Sequence, residues 1–99
     1  HFFINKLDTD IVFWGFEDKN LFEWAKVEIN KLAEKDEPFN FSLLTVNTHF
    51  PDGWLEAEAE NIYPTQYENV HAYSSKQIYE FVSWIKEQDF YDNTTIVLV

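Results

Sequence analysis

The chain has 99 residues, no cysteine and a formal net charge of −11, from 18 Asp and Glu against 7 Lys and Arg. The missing cysteines exclude a disulfide framework, a thiolate metal centre and a cysteine nucleophile, and the acidic balance repels phosphate backbones, which argues against nucleic acid as a partner. With 45% hydrophobic and 19% aromatic residues this is a chain that folds, as one small domain at most, and no apolar stretch is long enough to cross a bilayer.

The opening, residues 1–18, mixes Phe2, Phe3, Ile4, Ile11, Val12, Phe13 and Trp14 with Asp8, Asp10 and Gly15. It keeps neither the helical nor the strand period and is expected to be mostly loop. From Asn20 onward, Phe22, Ala25, Ile29, Leu32 and Ala33 recur at three- and four-residue steps, which predicts a helix from about Leu21 to Lys35. Asn20 with Glu23 has capping-box spacing, and Glu17 and Asp18 stand where the helix dipole favours negative charge. Pro38 stops any continuation, and the run Phe39 to Val46 has the length and β-branching of a strand without clean alternation. Such a strand is covered on both faces, as in parallel sheets.

A long irregular passage follows from Asn47 to about Pro64, punctuated by Pro51, Asp52-Gly53 and Pro64. Thr65 and Glu68 form a second capping-box candidate, and Val70, Ser74, Ile78, Phe81, Val82 and Ile85 trace a helical stripe running toward Gln88. Asp92-Asn93 predicts a turn, and Thr94 to Val99 is a strongly β-prone run. A strand, a crossover helix and a second strand form a right-handed parallel unit, so the expected class is α/β, a partial parallel sheet with crossover helices. The chain starts at His1 and stops at Val99 inside an apolar run, so residues 1–99 are expected to be a single partial domain, truncated at both ends.

In open α/β sheets ligands bind beyond the carboxyl ends of the strands, here Asn47 to His49 and whatever follows Val99. The segment Thr45 to Trp54 gathers hydroxyls, an amide, an imidazole and a carboxylate at one such end. His49 there can donate to a phosphate or sulfate oxygen and exchange a proton near neutral pH. The competing reading makes His49 a strand-end residue and Asp52-Gly53 an ordinary turn. His1 and His71 carry weaker signals, His71 as a surface or boundary residue. Glu56, Glu58 and Glu60 alternate within LEAEAE and are expected to form a solvated acidic face. Phe13, Trp14, Trp54, Tyr63, Tyr67 and Trp84 could stack on sugars, although a small domain needs most of its aromatics as core. No pair of histidines at helical spacing, acidic calcium loop, nucleophile elbow or phosphate-cradling glycine loop is present.

Three motifs in order, Trp14-Gly15-Phe16-Glu17-Asp18-Lys19, Thr45-Val46-Asn47-Thr48-His49-Phe50-Pro51 and Tyr67 to Val99, make the chain resemble the sulfatase-like domain of bacterial phosphoglycerol transferases. These include lipoteichoic acid synthases and enzymes that decorate periplasmic glucans, within the alkaline phosphatase superfamily. The resemblance spans nearly the whole chain and a central slice of the family domain. It implies an alkaline phosphatase-like fold and a metal-dependent reaction. A threonine attacks the phosphodiester of phosphatidylglycerol, diacylglycerol leaves, and the phosphoglyceryl group passes to an extracytoplasmic glycan or polymer hydroxyl.

The resemblance also implies where the parts lie. The family's threonine nucleophile and an acidic metal ligand match positions before His1. Its Gly-Asp-His, which binds a divalent cation, usually manganese, would follow the strand matching Thr94 to Val99. Neither a catalytic residue nor a metal ligand is therefore expected within the chain, which alone would be inactive. His49 is the implied headgroup-phosphate contact, and Asn47 and Asp52 are expected at the pocket rim. The parent would be membrane-anchored on the extracytoplasmic face of the bacterial cell membrane, with the chain itself soluble. A sulfatase or phosphodiesterase of the same fold, and a non-catalytic glycan-binding or interaction module, are the alternatives.

Overall fold

The computed structural model describes residues 15–99, so the loop expected over 1–18 lies outside the described residues apart from its last four. Two helices carry the described chain, α1 over Asp18–Glu34 and α2 over Gln66–Lys86, followed by a single 3-10 turn at Tyr91–Asn93 where a turn is expected. The first helix buries Leu21, Phe22, Ala25 and Ile29, largely the stripe its periodicity predicts, with Leu32 and Ala33 half-buried. The second buries Val70, Ser74 and Ile85, again from the predicted stripe, and adds Asn69 and Gln77, which hydropathy alone does not select.

The helices meet through aromatic rings. Phe22 packs on Phe81 with ring centroids 4.9 Å apart, Phe81 stacks on Trp84 at 6.0 Å, and Trp84 meets Phe90 edge-on at 6.3 Å. Lys26 of α1 sets its ammonium 5.9 Å from the Trp84 ring, at the outer limit of a cation–π contact. Trp24, on another side of α1, packs against Phe41. Large rings cover the seam because two isolated helices need a large apolar contact to stay together.

The two helix starts are built differently. α2 begins as its sequence directs: Thr65 is extended and its hydroxyl oxygen accepts the Glu68 amide at 3.2 Å. The hydroxyl in turn donates to Glu68 Oε1 at 2.9 Å, replacing the backbone contact that completes a full capping box. α1 begins three residues before the expected start, and Asn20 lies inside it. Its N-cap, Glu17, makes no side-chain cap. The amides of Asp18 and Lys19 donate instead to Asn47 Oδ1 at 3.2 Å and Glu56 Oε2 at 3.1 Å, side chains 29 and 37 positions away. At its far end α1 stops at Glu34, and Asp36, just past the cap residue Lys35, takes a left-handed φ of 54°.

Residues 39–46 and 94–99 lie in no helix and join no ladder among the described residues. A strand is stabilised by its neighbour, and here the Val46 amide finds a side chain, Asp18, instead. Leu44, Val97 and Leu98 are exposed at 85%, 74% and 67%.

Candidate functional site

The passage from Val46 to Trp54 is a tight, many-sided turn. The His49 amide donates to the Val46 carbonyl at 2.9 Å, and the Trp54 amide closes the turn on the Asn47 carbonyl at 2.8 Å. The Phe50–Pro51 peptide is cis. Gly53 has a φ of 69°, and a methyl group there would lie 2.6 Å from the Asn47 carbonyl oxygen and 2.9 Å from Val70 Cγ1. Only glycine allows the turn to lie this close to α2.

Both helices hold this turn. From α1, Asp18 Oδ1 accepts the amides of Val46 at 2.9 Å and Asn47 at 3.3 Å. From α2, the Tyr67 hydroxyl donates to the Thr48 carbonyl at 2.7 Å, and Gln66 Nε2 donates to the carbonyls of Asp52 and Gly53 at 3.3 and 3.1 Å. At the end of the turn the Trp54 indole donates to Glu17 Oε2 at 2.8 Å.

His49 sits half-buried at the outer part of this turn, its ring stacked on Phe50 with centroids 5.2 Å apart. Its Nδ1 lies 2.8 Å from the Phe50 carbonyl oxygen, which can only accept, so Nδ1 carries a proton. Asp52 is on the same turn and exposed. Asn47, four residues before Pro51, is buried at 2% and faces inward. The structure thus brings a half-buried His49 and an exposed Asp52 onto one turn and commits the Asn47 amide to the interior.

That interior is a polar cluster. Asn47 Nδ2 donates to Glu56 Oε2 at 2.6 Å, and the same oxygen accepts from Lys19 N and from Gln77 Nε2, both at 3.1 Å. Asp18 and Glu56 are almost wholly buried, at 0% and 2% exposure. Among the described residues, Asp18 Oδ2, Glu56 Oε1 and Gln77 Oε1 find no hydrogen-bond partner. Burial raises the Asp18 carboxyl above its usual value, with nearby Glu56 adding to the rise and the amides of Val46 and Asn47 opposing it.

The expectation of a solvated acidic face over Glu56, Glu58 and Glu60 therefore needs correction. Glu56 is drawn inside because the first turn of α1 offers unpaired amides and a positive dipole end, which compensate a buried carboxylate. Glu58 stays outside and takes the Lys19 ammonium at 2.6 Å, which lowers the Glu58 carboxyl and raises the lysine. Asp18, Glu56 and Gln77 carried no motif signal as a group, since contacts across 21 to 37 positions leave no local period.

A shallow hollow of about 350 Å³ lies elsewhere, lined by Tyr63, Thr65, Tyr67, Glu68, His71 and Ala72. His71 is exposed there and meets the Tyr67 ring edge-on at 4.4 Å. None of His49, Asn47 and Asp52 lines it. Trp84 stacks on Phe81 within α2 and lies beneath the Lys26 ammonium of α1. Among the described residues no group of three or more His, Asp or Glu side chains is arranged to hold a metal ion, and no helix is long and apolar enough to cross a membrane.

Comparison with known proteins gives a consistent relationship. The chain is 30% identical over 91 residues to phosphoglycerol transferase I of Citrobacter koseri, an alignment covering 86% of this chain and 12% of that protein. Phosphoglycerol transferase I of Salmonella paratyphi B and of Salmonella newport are each 29% identical over the same shares. The chain thus spans about an eighth of the length of the relatives it matches. No family model matches it, and no solved structure does so significantly.

Proposed function

We propose that this chain, a relative of phosphoglycerol transferase I along most of its length, contributes the phosphate-facing turn of a phosphoglycerol transferase. The observation that carries the reading is that sequence relationship, and the clamped turn bearing His49 gives it a chemical form. In this reading His49 Nε2 lies toward the phosphodiester of a phosphatidylglycerol headgroup. When protonated, it donates to a phosphoryl oxygen as negative charge builds there. Asp52, exposed on the same turn, borders the pocket. The acceptor is a hydroxyl of an extracytoplasmic glycan or polymer, and the whole protein is anchored at the outer face of the membrane.

A divalent cation, manganese in the family this chain resembles, belongs to the proposal for the whole protein. The described residues offer no group of three side chains that fits such an ion. The α/β class is part of the same proposal: residues 39–46 and 94–99 are strands of a sheet completed by neighbouring strands, which would cover the exposed Leu44, Val97 and Leu98. Slow amide exchange across both runs in the intact protein is expected, and fast exchange in both would refute the sheet.

The function is tested with the intact protein, phosphatidylglycerol vesicles and a glucan acceptor, following diacylglycerol release. Turnover that falls about 100-fold or more in His49→Ala is the expected result, the size of loss typical for a donor to developing charge. Unchanged turnover would take His49 out of the site. Hydrolysis of a sulfate ester with no release of diacylglycerol would replace the transferase reading with a sulfatase.

A further inference from the structure

We propose that Asn47, with Asp18 and Glu56, is a positioning unit that presents His49, and that Asn47 makes no contact with substrate. The inference rests on the functional reading of His49 given above and adds the device that would hold it in place. Asn47 is the residue through which both buried carboxylates act. Its side-chain oxygen accepts the Asp18 amide, its side-chain nitrogen donates to Glu56, and its own amide donates to Asp18 Oδ1. The Asp18–Asn47 exchange is reciprocal, so the start of α1 and the start of the His49 turn are fixed to one another in two directions. The turn's carbonyls are then tied to α2 by Tyr67 and Gln66, with His49 half-buried and Asp52 exposed on the same turn.

Three partnerless atoms support a specific state of this unit. Asp18 Oδ2, Glu56 Oε1 and Gln77 Oε1 are all acceptors, buried and unmatched among the described residues. An excess of buried acceptors is relieved by adding a donor, and a proton on Asp18 supplies one while removing one of two neighbouring negative charges. The charged and titratable groups around the cluster are Glu56 and Glu58 from the loop, Lys19 beside Asp18 on α1, and Tyr73 on α2, whose hydroxyl is raised by burial and by both glutamates. The Lys19 ammonium is engaged with Glu58 at the surface. Asparagine in place of Asp18 would mimic the protonated acid: it keeps the oxygen that accepts the Val46 and Asn47 amides and adds donors on the unmatched side.

The experiment uses the intact protein, with two readouts. Hydrogen exchange followed by mass spectrometry reports the 46–54 segment separately from α2. Diacylglycerol release from phosphatidylglycerol vesicles reports function in a double-mutant cycle of Asn47→Ala and His49→Ala. Asn47→Ala is expected to speed exchange in 46–54 while α2 keeps its protection, and to lower turnover about 10- to 100-fold, the scale of a small misplacement. On the His49→Ala background it should cause no further loss, because it acts through His49. Losses that multiply, or an unchanged exchange rate in the turn, would overturn the proposal.

Should Asn47→Ala not fold, Asp18→Ala takes its place, with rescue by Asp18→Asn expected and equal damage by both refuting the proton-bearing unit. If the wild-type protein releases no diacylglycerol, the functional reading fails, and the exchange readout alone decides whether the network holds the turn.

Discussion

The two described helices start by opposite means. α2 is capped by a residue next to it, Thr65, whose hydroxyl oxygen accepts the Glu68 amide. α1 is capped by residues from the following loop, Asn47 and Glu56, which reach the amides of Asp18 and Lys19. A local cap stabilises one helix. A remote cap also folds the loop, because the same side chains that satisfy the helix end bind the turn and draw a carboxylate into the interior. The second kind ties local structure to a candidate site, and His49 is part of the loop it fixes.

The sharpest way to break this contrast is Asn47→Ala. It leaves the Asp18 amide without its acceptor and Glu56 Oε2 without one of its three donors in a buried setting, and a cost of about 2–5 kcal/mol is expected in urea unfolding. A loss below about 1 kcal/mol would mean that water replaces the remote cap readily.

The pH dependence of stability separates the two carboxylates that flank Lys19. Burial raises Asp18 from its usual 3.8, so the folded state binds this proton more tightly than the unfolded state. Its contribution is complete below the usual value and is lost as pH rises through the raised one. Glu58, lowered by Lys19, has the reverse sign, its contribution present above the usual 4.5 and lost as pH falls through the lowered value. Asp18→Asn is expected to remove a decline of at most about 1.4 kcal/mol per pH unit above the ordinary carboxylate range. Unfolding curves at several pH values for the two proteins would show it, and identical slopes would mean that Asp18 titrates normally.

Thr65→Ala tests the local cap and should cost about 1 kcal/mol by the same unfolding measurement. The smallest effect belongs to Asn20→Ala. The sequence marks Asn20 as a cap, yet it lies within α1, so alanine should change stability by less than about 0.7 kcal/mol and in the stabilising direction. A loss of the size expected for Thr65→Ala would return the cap of α1 to Asn20.

The same contrast explains what could be read in advance. The stripe from Val70 to Ile85 and the Thr65–Glu68 pair lie within a few residues of their partners, so period and cap predict α2 nearly to its ends. On α1 the stripe was legible and the start was not, because Asn20 and Glu23 satisfy the cap spacing while the helix takes its acceptors from 29 and 37 positions away. His49 could be singled out by its chemistry and by resemblance. The burial of Glu56 could not, since LEAEAE is an acidic alternation like those on solvated surfaces.

The sequence by itself determined the two amphipathic helices, the irregular passage between them, and the relationship to phosphoglycerol transferase I, because each is written in neighbouring residues or in their order. The tertiary structure alone decided that Asp18, Asn47, Glu56 and Gln77 form one buried cluster and that the His49 turn is held from both helices. Burial changes the energy of a polar group by more than any local preference does, and only the folded chain determines which polar groups are buried together.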